Sequence, residues 1–383
     1  MKFEFKDKVM TLYFHGELNS GNAQSVEEDA LKTLAGQNFS SLVLNFENLK
    51  YISSAGLRVV LKLKQQYVNV SIVEASLEVY DVLQMTGFTN IIPVSKALKR
   101  ISVDGAPVIG EGFFSTVYRI EKDMIIKVFN RVSDPAQIER ELKLAKQAFV
   151  LGIPTAISFD IVRVGDKLGV RFEMLDCQSL ANAFKNEPEN YDSYVDRYVA
   201  LLKKMNTTDC MDPTLPNIKE KYLEKVEAIK DIMDEKYYLK AKKLVEGIDE
   251  SMNFVHGDCH FKNIMVQGDD LLLIDMDTLS RGESIFELAL LRAPYVAFEE
   301  DDPGNTEKFL GFKKEFCKKL FEDIVERYYG HKDQAILDKL EILCAIHMIW
   351  WNKVNTPDNM ARYNGNKNRL MPLLDKYDDL KIK

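Results

Sequence analysis

The first hundred residues switch between two hydrophobic periods. Residues 10–16 (MTLYFHG) are aromatic and apolar and predict a strand. Residues 23–34 place Val26, Ala30, Leu31 and Leu34 on one side of an amphipathic helix. Residues 42–46 (LVLNF) read as a short buried strand. Ser53 and Ser54 then offer an N-cap for a helix carrying Leu57, Val60, Leu61 and Tyr67. A strand over 70–73 and a helix over 77–85, stopping near Gly87, complete the region. Strand and helix alternating with short connections predict an α/β layer fold.

The segment 100–107 (RISVDGAP) marks a boundary, and the pattern changes after it. Strand-like pieces follow one another at 107–110, 117–121, 124–129, 156–164 and 167–174, with Gly165-Asp166 suited to a hairpin. One helix interrupts them, with Ser133 or Asp134 as cap, Pro135 in the first turn and 139–150 as body. From 179 onward the chain reads as mainly helical, with a strand-rich interlude at 254–277. The expected architecture is thus an α/β domain over 1–102, a β-rich small lobe over 105–176 and a helical large lobe over 177–383.

Composition narrows the function class. The net charge of −8 lacks the basic surface of a nucleic-acid binder. Five scattered cysteines show no metal or redox spacing and predict free thiols. The opening MKFEFKDKVM is too polar for a signal peptide, and no apolar run approaches the roughly 18 residues of a membrane span. The expectation is a cytoplasmic protein with no nucleic-acid or membrane partner.

The chemistry-bearing residues come next. IGEGFFSTV at 109–117 precedes a strand, and Gly110 and Gly112 would let backbone N–H groups approach phosphate oxygens. Ser115 stands where many such loops carry a third glycine. Lys127 sits inside the apolar strand MIIKVF, where an ammonium is costly without a partner. It reads either as a snorkelling surface lysine or as a contact to the α- and β-phosphates of ATP. Glu141 could pair with it, with Glu139 as the alternative on another side of the same helix. At RFEMLDC, backbone groups of Glu173 and Leu175 could meet an adenine edge, or simply end a strand.

The most specific stretch is FVHGDCHFKNIMVQGDDLLLIDMD at 254–277. Phosphoryl transfer needs positioning and charge neutralisation more than covalent chemistry. Asp258 would accept or orient the acceptor hydroxyl proton, and Asn263 and Asp275 would hold Mg²⁺ through hard oxygen donors. A hairpin with Gly268-Asp269 at its tip would bring the two ends together. A zinc triad of His256, Asp258 and His260 leaves Asn263 and the I-D-x-D strand without a role. His256 and His260 read as supports of the loop, and Asp277 as a further metal contact or a turn residue.

At these residues HGDxHxxN followed by IDxD resembles the aminoglycoside phosphotransferase and choline kinase-like branch of the protein-kinase-like superfamily. The resemblance implies Asp258 as catalytic base with Asn263 and Asp275 as metal ligands, and ATP and Mg²⁺ as cofactors. It also reaches GESIFEL at 282–288, where Glu287 stands in place of the usual aspartate. The first hundred residues resemble a STAS domain, the fold of bacterial anti-sigma factor antagonists, through NFENLKYISSAGLR and LQMTGF. That resemblance implies a protein partner and a regulatory phosphoserine just before the glycine. Ala55 holds that place here, with Ser54 and Ser53 beside it as candidate phosphosites or helix caps. The joining of two such domains resembles a group of bacterial proteins. The expected function is phosphotransfer to a small-molecule hydroxyl, with a protein kinase in partner switching and a nucleotide-sensing scaffold as alternatives. The acidic run Glu299-Glu300-Asp301-Asp302, with Trp350, Trp351, Tyr328 and Tyr329, would suit a cationic acceptor, or is a solvated loop and a helix core.

Overall fold

The computed structural model of the chain describes residues 1–111, 115–131, 135–175 and 177–382, without the side chains of 136, 137 and 141. Two units emerge: Met1–Ser102 with Val162–Asp166, and Val103–Ile161 with Lys167–Lys383.

In the first unit five strands lie side by side in chain order: Lys2–Lys6, Val9–Leu18, Ser41–Ile52, Val70–Ala75 and Val94–Lys96. The first pair is antiparallel and the others are parallel. Register follows from burial. Met10 and Leu12 sit opposite Leu42 and Leu44, which sit opposite Val70 and Ile72, so every second residue faces one core. The helices Ala23–Leu34, Ser54–Gln66 and Leu77–Met85 bury Ala30, Leu34, Val60, Leu63, Val79 and Leu83 in the same cluster. The edge strand Lys2–Lys6 escapes the periodicity argument because all its residues are exposed. Gly56 is sterically required: a Cβ there would stand 2.6 Å from the Leu18 carbonyl oxygen.

The second unit opens with a sheet in which Lys167–Glu173, Met124–Phe129, Ser115–Glu121 and Val108–Glu111 lie side by side in that order. Ile126 and Val128 are buried, and Lys127 between them points to the other face. The helix Pro135–Val150 packs Ile138, Leu144 and Ala148 inward. The helical part includes Leu180–Asn186, Tyr191–Asn206, Ile218–Ala228, Ser284–Arg292, Lys314–Tyr329 and Gln334–Asn355. The last of these is 22 residues long and buried over much of its length, which fits the strongly apolar stretch ILCAIHMIWW in its middle. No helix among the described residues is long and apolar enough to cross a membrane. Cys210, Cys259, Cys317 and Cys344 are buried free thiols.

Candidate active site

The segment 254–281 closes on itself. Phe254–Val255 pairs antiparallel with Ser280–Arg281, which clamps both ends of the loop region. Between them Ile264–Gln267 and Asp270–Leu273 form a hairpin turning at Gly268, whose φ of 58° suits glycine. The hairpin returns the chain so that Ile274 N–H donates to the Asn263 carbonyl at 3.0 Å. Asn263 and Asp275 thereby become neighbours in space.

The loop is held almost atom by atom. His256 is buried; its Nδ1 accepts the Asp258 N–H at 3.3 Å while its Nε2 lies 3.2 Å from the Ile274 carbonyl. These partners require a neutral ring with the proton on Nε2. Burial pushes its pKa down to about 4, in keeping with that tautomer. Asn263 Nδ2 donates to the Asp258 backbone oxygen at 2.9 Å and to Asp258 Oδ2 at 3.1 Å. Thr278 Oγ1 donates to the His256 carbonyl at 2.5 Å. Tyr295 OH accepts the Phe261 N–H at 3.0 Å, and Tyr198 OH donates to the Cys259 carbonyl.

In the sequence Glu287 stands out only as a departure from a usual aspartate. In the structure its fully buried carboxylate accepts the His256 N–H at 2.5 Å and the Gly257 N–H at 3.2 Å. Burial pushes it up to about 7, against the two N–H donors. A carboxylate this far from the loop in sequence gives no local signal of such a role.

Asp258 itself keeps 48% of its side chain accessible. The protein packed around it, and then the Asp275 charge, push it up to about 7, while Asn263 opposes the rise. Water on the open side tempers that shift. His260 Nε2 lies 3.5 Å from Asp258 Oδ1, and burial lowers its pKa to about 4, so the contact is polar rather than ionic. The zinc triad is not built: His256 spends its ring nitrogens on backbone groups, and no cluster of three His, Cys, Asp or Glu among the described residues could hold a metal.

Lys127 is a buried ion-pair partner and not a snorkelling surface lysine. Its Nζ lies 2.5 Å from Asp275 Oδ1 and 3.4 Å from both Asp277 oxygens, with 13% of the side chain accessible. Burial works against the ammonium, but Asp275 and then Asp277 prevail and raise its pKa. Asp275 is lowered in turn by Lys127 despite its burial. Asp275 has φ 62°, a left-handed conformation uncommon for aspartate that aims the carboxylate at Lys127. The Glu141 side chain lies outside the described residues, and Glu139 is exposed.

Gly112, Ser133 and Asp134 lie outside the described residues. Gly110 pairs with Val117 and Ser115 with Phe129, so both belong to β-ladders flanking the loop. Glu173 donates its N–H to Ile157, which takes that group away from an adenine edge. Leu175 just beyond is half-buried. Ser53 caps the helix Ser54–Gln66 by accepting the Gly56 N–H at 3.4 Å, and Ser54 is exposed.

The acidic run is not available to a cation. Glu300 and Asp301 pair with Arg369, Glu300 also with Arg292, Asp302 with Arg362, and Glu299 with Lys314. Tyr328 donates to Asn206, and Trp351 packs on Phe298 at 6.5 Å. A cavity of about 770 Å³ lined by Arg292, Glu300, Glu341 and Arg369 includes none of Asp258, Asn263 and Asp275 in its wall.

Comparison with known proteins adds two domain matches. Residues 105–309 match the model of the phosphotransferase enzyme family, and residues 1–101 match that of the STAS domain. The chain is 34% identical over 95 residues to BtrV of Bordetella bronchiseptica, a candidate anti-sigma factor antagonist, covering 24% of this chain and 81% of that protein. Among solved structures, the ADP-bound aminoglycoside phosphotransferase APH(2'')-Ib gives a TM-score of 0.46 at 14% identity over 77% of this chain and 98% of that one. A choline/ethanolamine kinase family protein from Mesorhizobium loti gives 0.44 at 12% identity over 77% and 94%. The anti-sigma factor antagonist SpoIIAA in its unphosphorylated form gives 0.22 at 18% identity over 24% and 85%.

Proposed function

Because the chain belongs to the phosphotransferase enzyme family and carries a STAS domain at its N-terminus, we propose that it transfers the γ-phosphoryl group of ATP to a hydroxyl of a small-molecule acceptor. The observation that carries this reading is the convergence of Asp258, Asn263, Asp275 and Lys127 on one spot. The acceptor oxygen bonds to the γ-phosphorus, the bond from that phosphorus to the β–γ bridging oxygen breaks, ADP leaves, and the hydroxyl proton passes to Asp258.

Each side chain has a task its surroundings suit. Asp258 has a raised pKa and an open face, as a proton acceptor working near neutral pH needs. Asn263 turns its amide N–H to Asp258 and keeps its carbonyl oxygen for a metal. Asp275 contributes a carboxylate held ionised by Lys127. These hard oxygen donors fit Mg²⁺, which when bound neutralises phosphate charge. Lys127 supplies a fixed positive charge for the α- and β-phosphates, and Glu287 holds the loop that carries Asp258. Gly110, Gly112 and Ser115 cover the phosphates, and Leu175 with the Glu173 carbonyl meets the adenine.

We assign the STAS domain to a protein partner, with Ser54 as the accessible hydroxyl at a helix N-terminus where a phosphate is favoured. The test is ADP release by the full chain across a panel of amines, alcohols and hydroxy acids, with Asp258→Asn as blank. Asp275→Asn should raise the KM for Mg²⁺·ATP. Turnover that survives Asp258→Asn would refute the assignment.

A further inference from the structure

Lys221 and Lys225 lie one turn apart on the helix Ile218–Ala228 and share a face. Lys221 Nζ donates to Ser280 Oγ at 2.8 Å. Lys225 Nζ lies 3.0 Å from His347 Nδ1 on the helix Gln334–Asn355. The same ammonium stands 4.4 Å from the Tyr222 ring centre and 5.2 Å from that of Trp350. Lys221, Lys225, His347 and Trp350 are all half-buried, so each keeps an accessible side.

Among the described residues the cluster contains no ion-paired carboxylate. Neither lysine forms an ion pair with a described residue, and Glu224 is the carboxylate that acts on Lys221 from a distance. Burial lowers both pKa values, Lys225 to about 7, where the Lys221 charge is the second cause. Burial likewise keeps His347 neutral. Burial makes the charged form of this lysine pair costly, and a site that keeps both side chains without an ion pair to a described carboxylate suits a negative charge arriving from outside.

Position ties the cluster to the transfer site. Ser280 Oγ donates to the Thr278 carbonyl at 2.8 Å, and Thr278 Oγ1 holds the His256 carbonyl at 2.5 Å. His256 in turn fixes the Asp258 N–H. Lys221 is therefore linked through Ser280 and Thr278 to the loop that presents Asp258. The acidic residues that could favour a cationic acceptor are already paired with arginines and lysines, and the Trp350 ring is already covered by Lys225.

We propose that Lys221 and Lys225 beside Trp350 receive the carboxylate or phosphate of a small hydroxylated anion, held on the elements that support the loop of Asp258. This rests on the phosphotransfer reading for the role of Asp258, but the anion site is separately measurable. Tryptophan fluorescence of the full chain is titrated without nucleotide against glycerate, glycerol 3-phosphate, glycerol and choline. The two anions separate carboxylate from phosphate as the preferred group. At least one should bind about tenfold more tightly than glycerol or choline, and Lys221→Gln and Lys225→Gln should each weaken it about tenfold. Lys225→Gln should raise the Tm, since it removes a side chain whose charged form burial makes costly; if it lowers the Tm, Lys221→Gln carries the test. Absence of anion binding, equal binding of choline or glycerol, or unchanged affinity in the variants overturns the proposal. Anion binding through these lysines with no ATP turnover would sink the phosphotransfer reading instead. Asp258-dependent turnover without anion binding would sink only this one.

Discussion

Glu287→Gln isolates the buried carboxylate under the loop of Asp258. Glu287 is fully buried, and its pKa stands at about 7 instead of 4.5. At about 1.4 kcal/mol per decade this corresponds to roughly 3 kcal/mol. The sign follows from proton counting. Between pH 4.5 and 7 the folded chain keeps a proton that the unfolded chain has released. The contribution is therefore fully present below about 4.5 and is lost as pH rises through 7. His256 and His260, lowered to about 4, act oppositely, since their contribution is lost as pH falls below 6.5. The difference between wild type and variant cancels them. Both tryptophans lie in the second unit, so urea unfolding followed by tryptophan fluorescence reads that unit alone. Relative to wild type, Glu287→Gln should gain about 2 to 3 kcal/mol between pH 5 and pH 8. Glu287→Ala should lose roughly 3 to 5 kcal/mol at pH 6, because the buried N–H groups of His256 and Gly257 lose their acceptor. Parallel pH curves for wild type and Glu287→Gln, or an alanine variant within 1 kcal/mol of wild type, would refute the reasoning.

Other outcomes follow from the same geometry. Turnover should rise with pH on a limb below 7 as Asp258 loses its proton, read as kcat/KM against pH, and Asp258→Asn should abolish transfer with an unchanged circular dichroism spectrum. Lys127→Met should lower turnover by about 100-fold or more while the urea midpoint moves little, because the charge it neutralises is partly open to water. Ser53→Ala should cost the first unit about 0.5 to 1 kcal/mol through loss of its cap, seen as a lower Tm by circular dichroism.

Much of the site was legible because its chemistry is local. Asp258, Asn263 and Asp275 flank one hairpin, where a turn at Gly268 and two short strands suffice to bring the ends together. The strand Met124–Phe129 and the helices Ala23–Leu34 and Leu77–Met85 were legible for the same reason, since a periodic apolar stripe needs no distant partner to declare itself. The exposed strand Lys2–Lys6 was missed because nothing buried marks it, and Lys127 left two readings open because its partners are about 150 residues away.

By itself the sequence determined the periodicity of the elements, the order of the two domains and the identity of the residues in the catalytic-type loop. Tertiary structure alone decided where charges end up. It set Lys127 on Asp275, buried Glu287 beneath His256, absorbed the acidic run 299–302 into internal pairs and left Lys221 and Lys225 without an ion pair to a described residue. The reason is physical: hydrophobic pattern is a property of neighbours along the chain, whereas the energy of a charge depends on the atoms that surround it in space.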